Sequence, residues 1–167
     1  MQMRIAGTIN DSIVDGPGFR FTVFTQGCPH HCPGCHNPKT HDFEGGKLAD
    51  TQEIIEKFRK NELLDGITLS GGEPLCQSEA CRVLARAAHE SGLNVWCYTG
   101  YTFEELMEGF EAHPEWAALL QEVDVLVDGR FILAQRTLEA RFRGSKNQRL
   151  IDVPVSLAQG RAVVMEE

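Results

Sequence analysis

The sequence predicts an α/β fold, a partial, open (β/α) barrel built on a mostly parallel sheet. Three observations carry this. Four short strand-like runs alternate with helical stripes, the pattern of parallel strands joined by helical crossovers. No hairpin signal joins any two of the runs. The 167 residues suffice for one substantial core but fall short of a closed eight-fold barrel, which takes about 250 residues and at least about 200.

Residues 1–18 read as an approach segment ending in the turn-forming run Asp15-Gly16-Pro17-Gly18. Residues 19–25 (FRFTVFT) are aromatic and β-branched and form the first strand, and Gln26-Gly27 leads into a cysteine-rich loop. A polar, irregular stretch follows to residue 47. Asp50 and Glu53 then start a helix whose stripe of Ile54, Ile55, Phe58 and Leu63 covers residues 51–64. The second strand is 66–69. The second helix runs from 78 to 91, buries Ala80, Val83, Leu84, Ala87 and Ala88, and is closed by Gly92. Cys81 on this helix and Cys76 just before it are expected to be buried as small apolar side chains. The third strand, 94–98, places Cys97 in the core. Thr102 and Glu105 form a capping box for a helix over 103–109, and a further helical piece after Pro114 buries Trp116, Leu119 and Leu120. The fourth strand is 123–127. Residues 1–152 are read as the domain, and 153–167 as a C-terminal extension.

The alternation has a functional consequence. In a parallel sheet the cysteine loop, Ser70-Gly71-Gly72-Glu73-Pro74, Thr99-Gly100-Tyr101 and Asp128-Gly129-Arg130 all leave the carboxyl ends of strands. That edge is where ligands bind in barrel and open α/β folds.

Composition narrows the function. With 16 basic and 24 acidic side chains the formal charge is −8, which argues against nucleic acid as a partner. No apolar run approaches membrane-spanning length, and no signal-peptide core opens the sequence. Clustered cysteines without an export signal suit a reducing cytoplasm. Charge is also polarised along the chain. Residues 130–149 carry Arg130, Arg136, Arg141, Arg143, Lys146 and Arg149 against Glu139 alone, whereas 104–124 carry seven acidic side chains. Such runs either solvate the surface or mark a docking face.

The chemistry centres on Cys28-Pro29-His30-His31-Cys32-Pro33-Gly34-Cys35-His36-Asn37-Pro38. Three thiols in eight residues can converge on one metal centre, and no fourth cysteine stands nearby. Three thiolates on a cubane leave one iron open for chemistry. A structural Cys3His zinc knot, with His30, His31 or His36 as fourth ligand, is the other reading of the loop alone. The Gly-Gly turn after the second strand exposes backbone to a ligand, and a zinc knot gives no reason for it.

Together, the three-cysteine loop after one strand and the Gly-Gly-Glu-Pro turn after the next resemble the radical S-adenosylmethionine (SAM) superfamily. Asp15 to Gly18, Tyr98 to Tyr101, Val125 to Phe131 and Arg143-Gly144-Ser145-Lys146-Asn147-Gln148 are similar to one family within it, the activating proteins of anaerobic ribonucleoside-triphosphate reductases. Gly34 and His41 depart from the wider superfamily's pattern, which often has an aromatic before the third cysteine and a tryptophan after Asn-Pro-x-Thr.

The resemblance implies a partial barrel and a [4Fe-4S] cluster on Cys28, Cys32 and Cys35 whose fourth iron is chelated by SAM. It also implies a SAM-binding set of Ser70, Gly71, Gly72, Glu73, Pro74 and Thr99, with the Gly71–Gly72 backbone and the Glu73 carboxylate receiving the amino group. Asp128 matches an acidic position near SAM in related enzymes, although a strand-end Asp also serves as a cap. His36 and Asn37 stand beside the cluster as supporting groups, His36 with core packing as its alternative, and Tyr101 either stacks on adenine or joins the core. The implied reaction is reductive cleavage of SAM with hydrogen abstraction from a partner glycine, fed by a flavodoxin-like donor. Two rivals accompany it: a radical SAM enzyme on a small molecule, resembling 7-carboxy-7-deazaguanine synthase, and a non-catalytic iron–sulfur or zinc module.

Overall fold

Period-two patterning in the central strands decides what each face of the sheet meets. In Gly66-Ile67-Thr68-Leu69-Ser70, Ile67 and Leu69 point one way and Thr68 and Ser70 the other; in Asn94-Val95-Trp96-Cys97-Tyr98 the split is Val95 and Cys97 against Trp96 and Tyr98. The computed structural model describes residues 1–35 and 37–165. It shows β1 (Gln2–Ser12), β2 (Arg20–Thr25), β3 (Lys47–Asp50), α1 (Thr51–Lys60), β4 (Gly66–Gly71), α2 (Ser78–Glu90), β5 (Asn94–Tyr98), α3 (Phe103–Gly109), α4 (Pro114–Leu120), β6 (Val125–Asp128), β7 (Arg149–Asp152) and α5 (Val153–Gln159).

The strands form one seven-stranded sheet in the order β3-β1-β2-β4-β5-β6-β7. Its centre, β2, β4, β5 and β6, is parallel as the alternation predicts, whereas β1, β3 and β7 are antiparallel to their neighbours. One face carries the main core: Phe21, Val23, Ile67, Leu69, Val95, Cys97, Leu126 and Ile151 pack with apolar residues of all five helices. Each large side chain buried there contributes roughly 1.5–3 kcal/mol. The other face holds a small second cluster of Trp96, Val125, Val127 and Leu150 against Tyr98 and Phe142, and otherwise polar groups.

Helix ends follow local chemistry. Asp50 caps α1 by accepting from the Gln52 amide at 2.9 Å, and Lys57, Arg59 and Lys60 sit in the last turn, where the helix dipole favours cations. Gly92, at φ +78°, closes α2 as the left-handed residue of a Schellman motif: the Leu93 amide donates to the Ala88 carbonyl and the Gly92 amide to that of His89. The Thr102–Glu105 capping box is formed in both directions.

The structure corrects several expectations. Residues 1–18 are not merely an approach, because most of them form β1. Only Met3, Ile5 and Ser12 of that strand are buried, and register shifts after Ile5 and Ile9 interrupt its alternation. The first central strand begins at Arg20, with Phe19 exposed, and the fourth is shifted to 125–128. Helix α1 ends at Lys60, so Leu63 is 75% exposed and Leu64 takes the core position. Cys81 and Cys97 are fully buried as expected, but Cys76 lies exposed in the 3-10 turn Pro74–Gln77. In the C-terminal stretch, α5 buries Val153 and Ser156, and the Met165 amide donates to the Leu150 carbonyl.

Arg20 is the largest feature without a sequence signal. It is fully buried on the polar face, donating to Thr68 Oγ1 (2.7 Å), the Ile67 carbonyl (2.7 Å), Asn94 Oδ1 (2.6 Å) and the Pro17 carbonyl (3.1 Å). Its guanidinium lies 5.7 Å from the Trp96 ring centroid. Burial lowers its pKa to about 10, so it stays charged at neutral pH. Any Cβ on Gly16 would fall 2.7 Å from Arg20 Cδ, which is why glycine occupies that turn. Arg20→Met is expected to cost about 3 kcal/mol, because four acceptors, two of them in buried hydrogen bonds, lose their donor together; urea denaturation would measure it.

Candidate functional site

The four turns expected at the carboxyl edge of the parallel strands do leave from that edge, and hydrogen bonds suture the first two. Gly72 and Glu73 amides donate to the carbonyls of Thr25 and Gly27, both at 2.8 Å, and the Cys28 amide donates to the His41 carbonyl. The Gly-Gly turn therefore sits directly against the base of the cysteine loop. Gly71, at φ +92°, has no room for a side chain: a Cβ would lie 2.5 Å from the Thr25 nitrogen.

Within the cysteine loop, the Cys35 amide donates to the Cys32 carbonyl at 3.1 Å, with Pro33 and Gly34 (φ +75°) at the two central positions. This is the chemistry of a type II turn, with proline presetting the first dihedral and glycine supplying the positive one. Cys28 is buried, while Cys32 and Cys35 are partly exposed. Burial pushes the Cys28 thiol up, and the backbone amides of His30 and His31 act against that by donating to its sulfur. The Asn37 amide approaches Cys35 Sγ at 3.4 Å. By contrast, burial raises Cys81 to about 12 and Cys97 well above its usual value, so these thiols are inert core groups.

All three loop cysteines line one cavity of about 490 Å³, within the ~300–1,000 Å³ range of small-molecule sites. Asn37, Ser70, Gly71, Gly72, Thr99 and Gly100 share it. Among the described residues no three His, Cys, Asp or Glu donors close on a single ion. Three thiols on one cavity with no fourth cysteine beside them are a donor set that fits an iron–sulfur cluster with one open iron.

Other expected residues lie off this cavity. Pro74 is buried and starts the 3-10 turn after the Gly-Gly-Glu run. Glu73 is fully buried; its carboxylate accepts from Thr99 Oγ1, the Gly100 amide and the Leu75 amide, and meets His30 Nε2 at 2.6 Å. Asp128 is buried too, accepting the Phe103 amide at the start of α3 (2.8 Å) and pairing with Arg149. It lines a second cavity, of about 580 Å³, on the far side of His30 and Cys32. Tyr101 joins the core, between the His30 and Trp116 rings. His36 lies outside the described residues.

Several residues complete the cavity without having stood out as ligand groups. Asp15 lines it, held by Ser12 and Thr22 hydroxyls, as do Tyr98, Phe142, Arg143 and Gln148. Strand alternation carries the signal for Tyr98, which points inward with Trp96 and Thr68. The Arg143-to-Gln148 stretch is built to hold its own loop: Gln148 accepts from the Gly144 and Ser145 amides and donates to the Gly129 carbonyl, while Asn147 donates to that of Arg130. The two oppositely charged runs partly neutralise each other through Arg149–Glu104 (2.6 Å) and Arg130–Glu105 (3.2 Å), so neither is simply a solvated face. No helix among the described residues is long and apolar enough to cross a membrane.

Comparison with known proteins identifies the family. The family described as a 4Fe-4S single cluster domain matches residues 14–151. Curated relatives named anaerobic ribonucleoside-triphosphate reductase-activating protein include one from Haemophilus influenzae, 36% identical over 146 residues, 81% of this chain and 89% of its own length. That of Vibrio cholerae is 38% identical over the same shares, and that of Enterobacteria phage T4 is 32% identical over 82% of this chain and 86% of its own. With a cluster-domain match over most of its length and relatives of this identity, the chain belongs to the family of anaerobic ribonucleoside-triphosphate reductase-activating proteins.

Proposed function

We propose that the chain activates an anaerobic ribonucleoside-triphosphate reductase by generating a glycyl radical on it. The observation that carries this is the meeting, in one cavity, of the three-cysteine loop, the Gly71–Gly72 turn and Thr99–Gly100. When bound, a [4Fe-4S] cluster and SAM supply the one-electron chemistry, reductive cleavage to methionine and 5′-deoxyadenosine coupled to removal of a hydrogen atom from a partner glycine.

The chain's own contribution is positioning. Cys28, Cys32 and Cys35 hold the cluster, with the Asn37 and His30 amides directed at its sulfur ligands and His36 as a further supporting residue. Ser70 and the open backbone of Gly71 and Gly72 receive the amino and carboxylate groups of SAM, with Glu73 and Pro74 beneath them and Thr99 beside. Tyr98, Phe131 and Phe142 exclude water from the cavity, which protects a radical. Asp128 acts through Arg149 and the start of α3.

In this reading the sheet is a partial, open barrel of radical SAM type, with helices outside and the cavity inside. Residues 1–152 carry the activity and 153–167 extend it. A flavodoxin-like protein in a reducing cytoplasm supplies the electron, and the reductase is the protein substrate.

Anaerobic reconstitution with iron and sulfide, reduction, and addition of SAM with the reductase tests the proposal. Methionine and 5′-deoxyadenosine in equal amounts, with a glycyl radical signal on the reductase, is the expected result. Cleavage without radical transfer would remove the reductase as partner; no cleavage would remove the enzyme reading.

A further inference from the structure

We infer that His30 is a positioning residue, a buried tie that sets the cluster loop against the SAM-binding loops through Glu73. The inference rests on the proposed function for its consequence, but on the geometry for its existence.

Glu73 has no spare capacity. An ionised carboxylate offers about four acceptor sites. Here Oε1 meets His30 Nε2 (2.6 Å), the Gly100 amide (2.8 Å) and Thr99 Oγ1 (2.9 Å), while Oε2 takes Thr99 Oγ1 (2.8 Å) and the Leu75 amide (3.1 Å). The side chain has no exposed surface, and that of His30 only 5%. The donors come from three different segments: the cysteine loop, the turn after β4 and the turn after β5. One carboxylate therefore fixes the relative placement of every loop that the proposed site requires.

His30 is the sole member of this set that belongs to the cysteine loop, lying between Cys28 and Cys32. Its ring is also confined sterically. It stands edge-on to Tyr101 at 4.7 Å, and any Cβ on Gly100 would run into it. Glycine at position 100 is thus the space in which the imidazole sits. The ring reaches Glu73 across that space, so movement of the cysteine loop and movement of Thr99–Gly100 are linked. A buried hydrogen bond to a charged group is stronger than a neutral one and depends on direction. With its acceptor sites filled in this way, Glu73 acts on the site through its neighbours rather than by contact with SAM.

Two replacements separate the hydrogen bond from the packing. His30→Phe keeps a ring against Tyr101 and Gly100 but cannot donate to Glu73. His30→Gln loses the ring but places an amide N–H near the position of Nε2. The expected result is that H30F retains wild-type iron and sulfide content, raises the KM for SAM at least tenfold in 5′-deoxyadenosine formation, and leaves kcat within about threefold. The change that SAM causes in the electron paramagnetic resonance spectrum of the reduced cluster should weaken with it. H30Q should restore KM to within about threefold of wild type. In the metal-free protein, hydrogen exchange of the Gly100 amide should accelerate at least tenfold in H30F and little in H30Q.

A wild-type KM in H30F, or a larger defect in H30Q than in H30F, would overturn the inference and assign His30 to packing. If wild-type protein neither binds nor cleaves SAM, the proposed function fails alone. The Gly100 exchange rate then decides the tie, faster exchange in H30F supporting it and an unchanged rate refuting it.

Discussion

Cys28→Ala protein is expected to leave anaerobic reconstitution with almost no iron or sulfide, and to yield neither 5′-deoxyadenosine nor a glycyl radical on the reductase. The loop contributes three thiols to the cavity, and the turn from Cys32 to Cys35 fixes two of them relative to each other. Cys28 is the third, anchored from the opposite side through its amide to His41 and the neighbouring Gly27 amide to Thr40. Two thiolates leave two irons of a cubane without protein ligands, too few to retain it against exchange with solvent thiols. The metal-free variant should still fold, since loss of one small buried sulfur costs about 1 kcal/mol. Cys81→Ala is the control: it removes a fully buried thiol from α2, away from the cavity, and should keep full iron content. Iron analysis and the visible absorption of the cluster would read both. Retention of cluster and SAM cleavage by the Cys28 variant would show that the thiols of this loop are not the ligand set.

Gly71→Ala is expected to lose both stability and SAM binding. Its φ of +92° is strained for any residue with a side chain, and the new Cβ would meet the backbone of Phe24 and Thr25 at 2.5–2.6 Å. Those neighbours are part of β2, paired with β4 in the centre of the sheet, and cannot swing away as a flexible side chain would. Relief requires β2 and β4 to separate at their carboxyl ends, where the cysteine loop and the Gly-Gly turn begin. The cost should be about 3 kcal/mol, which for a chain of this length lowers Tm by roughly 6–12 °C. The KM for SAM should rise at least tenfold even well below that temperature, because the same shift moves the Gly72 amide from the Thr25 carbonyl. Thermal unfolding followed by circular dichroism, together with SAM titration of cluster-loaded protein, would test this. A variant as stable as wild type would mean that the turn can relax without disturbing the sheet.

Much of the site could be read in the sequence because its signals are local. The spacing Cys28, Cys32, Cys35 and the residues Pro33-Gly34 specify a ligand loop and its turn without help from elsewhere. The helix stripes and the capping box at Thr102 depend on neighbours three or four residues away, and those helices formed close to where expected. The four parallel strands were legible for the same reason, since β-branched and aromatic runs bounded by glycine turns mark themselves. The failures have a common cause. Leu63 falls on a stripe that the chain abandons at Lys60, and Leu64 is buried instead. Strand β1 carries a weak signal because only its first half alternates cleanly, and β7 because a four-residue run holds too little pattern to stand out.

By itself, then, the sequence determined that three cysteines would share one loop, that the motif turns would share one sheet edge, and that the centre of the sheet is parallel. Only the tertiary structure decided what the polar side chains do there. Arg20 is an unremarkable cation until Pro17, Ile67, Thr68 and Asn94 are folded around it, and nothing beside Glu73 in the sequence announces that Thr99, Gly100 and His30 will surround its carboxylate. Local structure follows from dihedral preferences and periodicity over a few residues. A buried charge takes whichever donors or acceptors the packing of distant segments brings within about 3 Å, and no short-range pattern encodes that choice.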